Sequence, residues 1–404
     1  MTATLLIPDR LAQHVLRGHP WLYRDILPPG PPIAATGDVV RLLSRDGKNL
    51  GQGLFDAESP LAVRVLTTRA SEVFGPELIR KRVQAAYELR YGTLELGQTT
   101  AFRLLHGEGD RLPGVVVDRY AGFLVLKLDT PAWLPQLDAL VDALVSVVHP
   151  EGIYLKGITR GRGEDDAEGG SRPDPRAQAR VLWGQAPPDS IEVFEYGVKL
   201  AVDVYRGQKT GFFLDQRENR ALVGRVAHGR EVLNLFSYTG GFSLAAACGG
   251  AKRVTSVDIA KGAVEGARLN FTLNGFDPAD HEFVAQDAFE FLSVCAQARR
   301  QFDLVIVDPP SFAPSEKALK KAQAAYIKLN EKVLRQVRPG GLLASASCSS
   351  HLHQDMFLQC LKEAAQEARR PMRLLEVRAE PADHPTPLHF PEGRYLKFVL
   401  AVVD

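Results

Sequence analysis

Two residues of this 404-residue chain have types and surroundings suited to chemistry, the carboxylate of Asp308 and the thiol of Cys348. Asp308 closes the apolar run Phe302-Asp303-Leu304-Val305-Ile306-Val307 and opens the turn Asp308-Pro309-Pro310-Ser311-Phe312. Two consecutive prolines make a rigid turn with no backbone donors of its own, so the carboxylate is held where the run ends. Cys348 stands in Ser347-Cys348-Ser349-Ser350-His351, after a further run introduced by Arg338-Pro339-Gly340-Gly341. A free thiol ionises near pH ~8.5, so a nucleophilic cysteine here needs a polar or cationic setting. The plainer readings are an ordinary loop for the proline turn and a structural thiol for Cys348. Cys248, Cys295 and Cys360 all fall in expected helices and read as structural.

A second group of residues has the pattern of a cofactor site. The stretch Val232–Leu244, VLNLFSYTGGFSL, is an apolar strand containing Asn234 and Phe236, then the turn Ser237-Tyr238-Thr239-Gly240-Gly241, then a helix start. Glycine in such a turn lets a ligand approach the backbone beside a helix N-terminus. The next strand ends on Asp258, 18 residues past Gly240, where a carboxylate can take both hydroxyls of a ribose, although it equally precedes a helix as a cap would. The third strand ends at Gln286-Asp287-Ala288, a second acid suited to an adenine amino group. No GxGxxG follows the first strand, which disfavours a dinucleotide. A ligand with ribose and adenine but no phosphate fits better, and S-adenosylmethionine is that ligand. In GQKTGFFLDQR, Lys209, Thr210 and Arg217 are expected as further polar contacts covering it.

These residues need a scaffold that brings strand ends to one edge. Strands expected near 231–236, 253–258, 282–286, 303–307, 341–346, 373–378 and 395–402 alternate with helices near 241–249, 260–274, 287–298, 316–336 and 352–369. That alternation predicts an α/β domain with a parallel sheet covered on both faces, Rossmann-like, over 191–404. Residues 1–74 read as a small β domain with turns at Asp46-Gly47 and Gly51 to Gly53, and 75–190 as a small central α/β unit with a strand at 152–155. Its stretch from about 160 to 188, with GRGEDDAEGGSRPDPR, is too polar to bury and reads as a flexible insertion. Arg17-Gly18-His19-Pro20-Trp21 sets an aromatic among basic groups, a pattern that can stack on RNA or simply anchor a core. A net charge of +1 gives no global sign of nucleic acid, and residues 1–82 hold only eleven Lys/Arg against eight Asp/Glu. No apolar run is expected to cross a bilayer, no leader pattern opens the chain, and no CxxC pair suggests zinc, so a cytoplasmic protein without membrane or metal is expected.

Taken together, the Val232–Leu244, Asp258, Asp287, DPPSF and SCSSH elements resemble the motifs of class I S-adenosylmethionine-dependent methyltransferases. The whole chain resembles the RlmI-like family of bacterial 23S ribosomal RNA cytosine-5 methyltransferases. The resemblance runs through His19-Pro20-Trp21, HGEGDRLPGVVVDRY (106–120), GQKTGFFLDQRENR (207–220), ADHP (382–385) and PEGRYLK (391–397). It implies an N-terminal PUA domain, a central α/β unit, a seven-stranded class I methyltransferase domain, and 23S ribosomal RNA or a large-subunit assembly intermediate as partner, with a homodimer allowed. It assigns the nucleophile to Cys348. Some RNA cytosine-5 methyltransferases carry a second cysteine after the proline turn, where this chain has Ser311, and Asp308 is then the expected group on the base. His351, His353 and His384 are candidates for removing a proton only because histidine titrates near neutrality. Two rivals stand beside this reading: an RNA base N-methyltransferase, and a non-catalytic RNA-binding ribosome-assembly factor.

Overall fold

The computed structural model describes residues 3–27, 34–69, 71–158, 180–313 and 316–404. The chain divides into two compact units. Met1–Val193, Val202–Leu214 and Ala382–Gly393 form the first, and Phe194–Ala201, Asp215–Pro381 and Arg394–Asp404 the second.

The first unit opens with β1 (Thr4–Ile7), α1 (Asp9–Leu16), β2 (Trp21–Tyr23), β3 (Val39–Ser44), β4 (Asn49–Phe55) and β5 (Leu61–Thr67). They form a sheet in the order β1-β3-β4-β5-β2, whose core includes Ile7, Val15, Leu22, Leu42 and Val63. Gly51 to Gly53, expected as a turn, lies inside β4. A side chain on Gly51 would sit 1.9 Å from the Thr67 carbonyl oxygen, so glycine is there to let β4 and β5 close up at an irregularity in their pairing.

The same unit continues with α2 (Pro76–Thr93), β6 (Ala101–His106), β7 (Val115–Tyr120), β8 (Phe123–Leu128), α3 (Leu137–Val148), β9 (Gly152–Ile158) and β10 (Arg180–Gly184). The strand order is β10-β9-β8-β7-β6. Residues 180–184 therefore belong to a strand, paired antiparallel with β9, where a flexible insertion was expected. Val181, Leu182 and Trp183 give that end of the segment strand character that its polar average hides. The sequence GRGEDDAEGGSRPDPR itself lies outside the described residues.

One expectation about apolar length also changes. Pro131–Val148 is long and apolar enough by composition to cross a membrane. In the fold it is a core segment: Trp133, Leu140 and Leu144 are fully buried with Ile79, Val83 and Leu124, and the Trp133 indole donates to the Pro113 carbonyl at 2.8 Å. Beneath it a polar cluster ties the chain together. Arg90, fully buried on α2, forms a two-pronged bond to Asp110 at 2.6 and 2.8 Å and also donates to the Asp383 carbonyl at 2.7 Å.

The chain passes between the units within a hairpin, β11 (Ile191–Glu195) and β12 (Val198–Val202). The second unit then runs α4 (Arg217–Val226), β13 (Glu231–Leu235), α5 (Gly241–Cys248), β14 (Arg253–Asp258), α6 (Lys261–Leu273), β15 (Glu282–Ala285), α7 (Ala288–Gln297), β16 (Phe302–Val307), α8 (Leu319–Leu334), β17 (Val337–Ser347), α9 (Gln354–Ala368), β18 (Met372–Arg378) and β19 (Lys397–Val403). The seven strands lie in the order β15-β14-β13-β16-β17-β19-β18. The inner strands read as nearly unbroken apolar runs because helices cover both faces, α4, α5 and α6 packing in one group and α7, α8 and α9 in another. The sheet is not wholly parallel as expected: β19 runs antiparallel to both β17 and β18. Its first residue, Lys397, pairs with Ser347, the last residue of β17. The reversal thus brings the start of β19 to the edge where the parallel strands end.

Candidate active site

The connection order reverses between β13 and β16, and in open α/β sheets the ligand crevice opens at the carboxyl ends beside such a reversal. At β13 the backbone of the turn is unusual. Phe236 and Tyr238 have φ of 57° and 46°, left-handed values that side chains seldom adopt, and Gly240 has φ of 79°. A side chain on Gly240 would also lie 2.7 Å from the Ala267 Cβ, so α6 packs onto the turn where only glycine allows it. The strain is held by bonds from all sides. Ser237 N–H donates to the Val257 carbonyl at 3.0 Å, Tyr238 N–H to Asp258 Oδ2 at 2.8 Å, and Asn270 Nδ2 to the Thr239 carbonyl at 2.8 Å.

Asp258 and Asp287 each do local work as well as facing the edge. Asp258 Oδ1 accepts from the Ala260 N–H at 2.9 Å, so its two oxygens brace the turns on either side while it stays half-buried. Asp287 caps α7 through Oδ1, accepting from the Phe289 and Glu290 N–H groups at 2.8 and 3.1 Å, and this leaves Oδ2 for another donor. Ala288 follows as a buried first residue of the helix. Asn234 is buried in β13, its amide donating to Ser243 Oγ at 2.9 Å; its Oδ1 and the Ser237 Oγ are buried without a partner.

Ile259, directly after Asp258, is 74 % exposed, a large apolar side chain left uncovered beside that carboxylate. Charge alone did not single it out in the sequence. Spare acceptor capacity at two carboxylates, an exposed apolar side chain beside one of them and no basic residue in the turn suit a purine nucleoside carrying a ribose. A cofactor of the S-adenosylmethionine type fits these residues. Of the three expected contacts in GQKTGFFLDQR, Arg217 begins α4 fully buried, with its guanidinium 3.2 Å from Glu218. Lys209 and Thr210 belong to the first unit. There Lys209 is exposed with its ammonium 4.8 Å from the Phe213 ring, and Thr210 is buried, bonded to Asp118 and to the Tyr120 hydroxyl.

Asp308 and Cys348 end adjacent strands, β16 and β17, and both are half-buried. Gln216, just before α4, donates to Asp308 Oδ2 at 2.9 Å and itself accepts from Asn219 Nδ2 at 2.6 Å. Gln216 lay within a recognised motif, but an amide is not an obvious partner in sequence. Around Cys348 the hydroxyls form a chain: Ser311 to Ser349 at 3.0 Å, Ser349 to Tyr326 at 3.2 Å, and Ser347 to Tyr326 at 2.9 Å. Burial pushes the Tyr326 phenol up to about 12; the two serine bonds oppose this, and negative charge on Cys348 and Asp308 adds to it. Tyr326 therefore senses both candidate catalytic groups.

Lys397 is buried and donates to the carbonyls of Ser349 and Tyr395 at 2.6 and 2.8 Å. Burial pushes it down to about 8, against opposing pulls from Cys348 and Glu380. Cys295 and Cys360 are buried, and burial raises both thiols, Cys360 to about 11, as structural cysteines require. Cys248, also expected to be structural, is exposed at the end of α5. His353 is exposed just before α9, while His384 is buried in the first unit with its Nδ1 3.1 Å from Asp383. Trp21, in the same unit, donates from its indole to Glu108 at 2.7 Å and meets the Phe390 ring edge-on at 4.5 Å, which is an anchoring arrangement.

Comparison with known proteins agrees with this geometry. Residues 167–389 match the S-adenosylmethionine-dependent methyltransferase family model and residues 6–68 a PUA-like domain model. The ribosomal RNA large subunit methyltransferase I of Vibrio parahaemolyticus is 36 % identical over 399 residues, covering 98 % of both chains. The chain belongs to the ribosomal RNA large subunit methyltransferase I family. Another relative, the ribosomal RNA large subunit methyltransferase of Deinococcus radiodurans, is 39 % identical over 97 % of this chain and 95 % of its own. A methyltransferase-like protein solved in complex with SAH superposes with a TM-score of 0.85 at 26 % identity, each chain fully covered. The family is S-adenosylmethionine-dependent, and its Rossmann-like domain follows a PUA-like one, as the sequence motifs imply.

Proposed function

We propose that this family member methylates carbon 5 of a cytosine in 23S ribosomal RNA, with Cys348 as nucleophile and Asp308 as the group that holds the base. The observation carrying the reading is the pair itself: a half-buried thiol and a half-buried carboxylate that follow adjacent parallel strands at their carboxyl ends. The relatives' printed names support large-subunit RNA as the substrate. We take residues 1–74 as the RNA-holding module, 75–190 as the central unit and 191–404 as the catalytic domain.

S-adenosylmethionine, when bound, supplies an electrophilic methyl group on a sulfonium. Asp258, Asp287, Ile259 and the turn from Phe236 to Gly240 would hold it. Carbon 5 of cytosine is too weakly nucleophilic to react unaided. Addition of the Cys348 thiolate at carbon 6 forms a sulfur–carbon bond and moves the ring's π electrons onto carbon 5, which could then take a methyl group whose bonding pair would stay on the cofactor's sulfur. Nitrogen 3 takes a proton from solvent as the thiolate adds and returns it as the product forms, and Asp308, steadied by Gln216, is suited to accept a hydrogen bond from the N–H in between. Loss of the carbon 5 proton then restores the double bond and expels the thiolate.

Incubation with 23S ribosomal RNA and labelled cofactor, followed by nucleoside digestion, tests the reading. The expected product is 5-methylcytidine. Label on an exocyclic nitrogen would establish the N-methyltransferase alternative, and cofactor binding without transfer to either naked RNA or a large-subunit intermediate would favour the assembly-factor alternative.

A further inference from the structure

Lys397 is an ammonium that the fold buries at unusual cost. It is 4 % exposed, and its hydrogen-bond partners are two neutral carbonyls, those of Ser349 and Tyr395; among the described residues it forms no ion pair with a carboxylate. Taking an ammonium out of water costs several kcal/mol unless opposite charge compensates. The carboxylate nearest in effect, Glu380, is engaged elsewhere, accepting from the Tyr395 and Leu396 N–H groups at 2.5 and 2.7 Å. What Lys397 does face is the loop that carries Cys348. It pairs with Ser347 in the β17–β19 ladder and grips the carbonyl of Ser349, so its two partners in this loop flank the cysteine on both sides.

We propose that Lys397 is the cationic positioning residue of this site, holding the Ser347-Cys348-Ser349 loop in place and favouring Cys348 as the thiolate. The proposal builds on the reading of Cys348 as nucleophile but is tested separately from it. The thiol proton leaves to solvent and Lys397 keeps its own, so the resting site is a thiolate–ammonium pair. Among the described residues, Glu380 after β18 acts on Lys397, and Tyr326 on α8 feels both Cys348 and Asp308 after β16. Asp308 and Glu380 are acids and oppose a thiolate, Tyr326 stays protonated near neutral pH, and the charge on Lys397 acts in the opposite sense to the two acids. The hydroxyl chain from Ser311 through Ser349 to Tyr326 braces the same loop.

The test is the pH profile of iodoacetamide alkylation at Cys348 in the full chain, read peptide by peptide by mass spectrometry, with exposed Cys248 as the internal reference. Lys397→Gln removes the charge while keeping a donor for the Ser349 carbonyl; Lys397→Arg keeps the charge. A nearby opposite charge shifts a pKa by about 1–3 units. Lys397→Gln is therefore expected to raise the Cys348 midpoint by at least about one pH unit and slow its alkylation near neutrality about tenfold, leaving Cys248 unchanged. Lys397→Arg should restore most of the rate. Should Lys397→Gln not fold, Lys397→Met, which retains the volume of the stem, takes its place with the same expectation. An unchanged Cys348 midpoint in a folded neutral variant, or the same upward shift in Lys397→Arg, overturns the proposal. A shifted midpoint in a protein that makes no 5-methylcytidine would leave Lys397's role standing and refute the nucleophile reading instead.

Discussion

Replacing Asp258 separates a ligand-binding carboxylate from a merely structural one. In the fold its two oxygens accept from the Tyr238 and Ala260 N–H groups at 2.8 and 2.9 Å, which accounts for one lone pair on each oxygen and leaves the others for ribose hydroxyls. A hydrogen bond to a charged acceptor contributes about 1.5–3 kcal/mol, so losing two such bonds to the ligand, partly replaced by water, weakens binding by about 3 kcal/mol. That is roughly 150-fold in Kd. Asp258→Asn keeps an acceptor for one backbone N–H and most of the turn, whereas Asp258→Ala also frees the strained Tyr238. Calorimetric titration with S-adenosylhomocysteine should therefore show a large loss for both variants, with only Asp258→Ala lowering the melting temperature appreciably. Kd values within about threefold of wild type for both folded variants would refute the ribose assignment, because 0.6 kcal/mol is roughly one neutral contact.

Arg90→Met should destabilise the first unit by about 3–5 kcal/mol, since it strands the Asp110 carboxylate, 9 % exposed, without its cation. Denaturant melts check this, and Arg90→Met with Asp110→Leu should recover part of the loss. Lys397 predicts a pH effect on stability. Its folded value of about 8 lies below the ordinary 10.5, so between these values the unfolded chain binds more protons and stability rises with pH. Between pH ~7.5 and ~10 wild type should gain about 2 kcal/mol relative to Lys397→Gln in paired denaturant melts, and parallel curves would show that the lysine is not buried as described.

Much of the second unit was legible because periodicity and chemistry agreed there. Phe302–Val307 reads as a buried strand and ends on a charged proline turn, and Asp258 follows an apolar run, so strand and site were marked by the same residues. The strands from β13 to β17 fall within a few residues of their expected limits. What escaped detection depended on direction and context. Nothing in KFVLAVV encodes that β19 runs against its neighbours, and in a wholly parallel sheet Lys397 would start its strand at the far edge. Gln216 is uncharged and acquires meaning only from Asp308, and Ile259 is an ordinary apolar residue until its exposure is known. The β11–β12 hairpin and β10 are short and lie beside a highly polar stretch, where a window average conceals them. Asp287 and Thr210 show the converse, polar residues read as ligand contacts that also carry capping and buried bonding roles.

Attack by Cys348 on the base is open to direct test by covalent trapping. RNA containing 5-fluorocytosine accepts the methyl group but has no carbon 5 proton to lose, so the thioether to carbon 6 cannot be expelled. Intact-mass analysis of enzyme, cofactor and this RNA should show a nuclease-resistant adduct that maps to Cys348 and disappears in Cys348→Ala. Normal methylation by Cys348→Ala, or active wild-type enzyme that forms no adduct, would contradict the account.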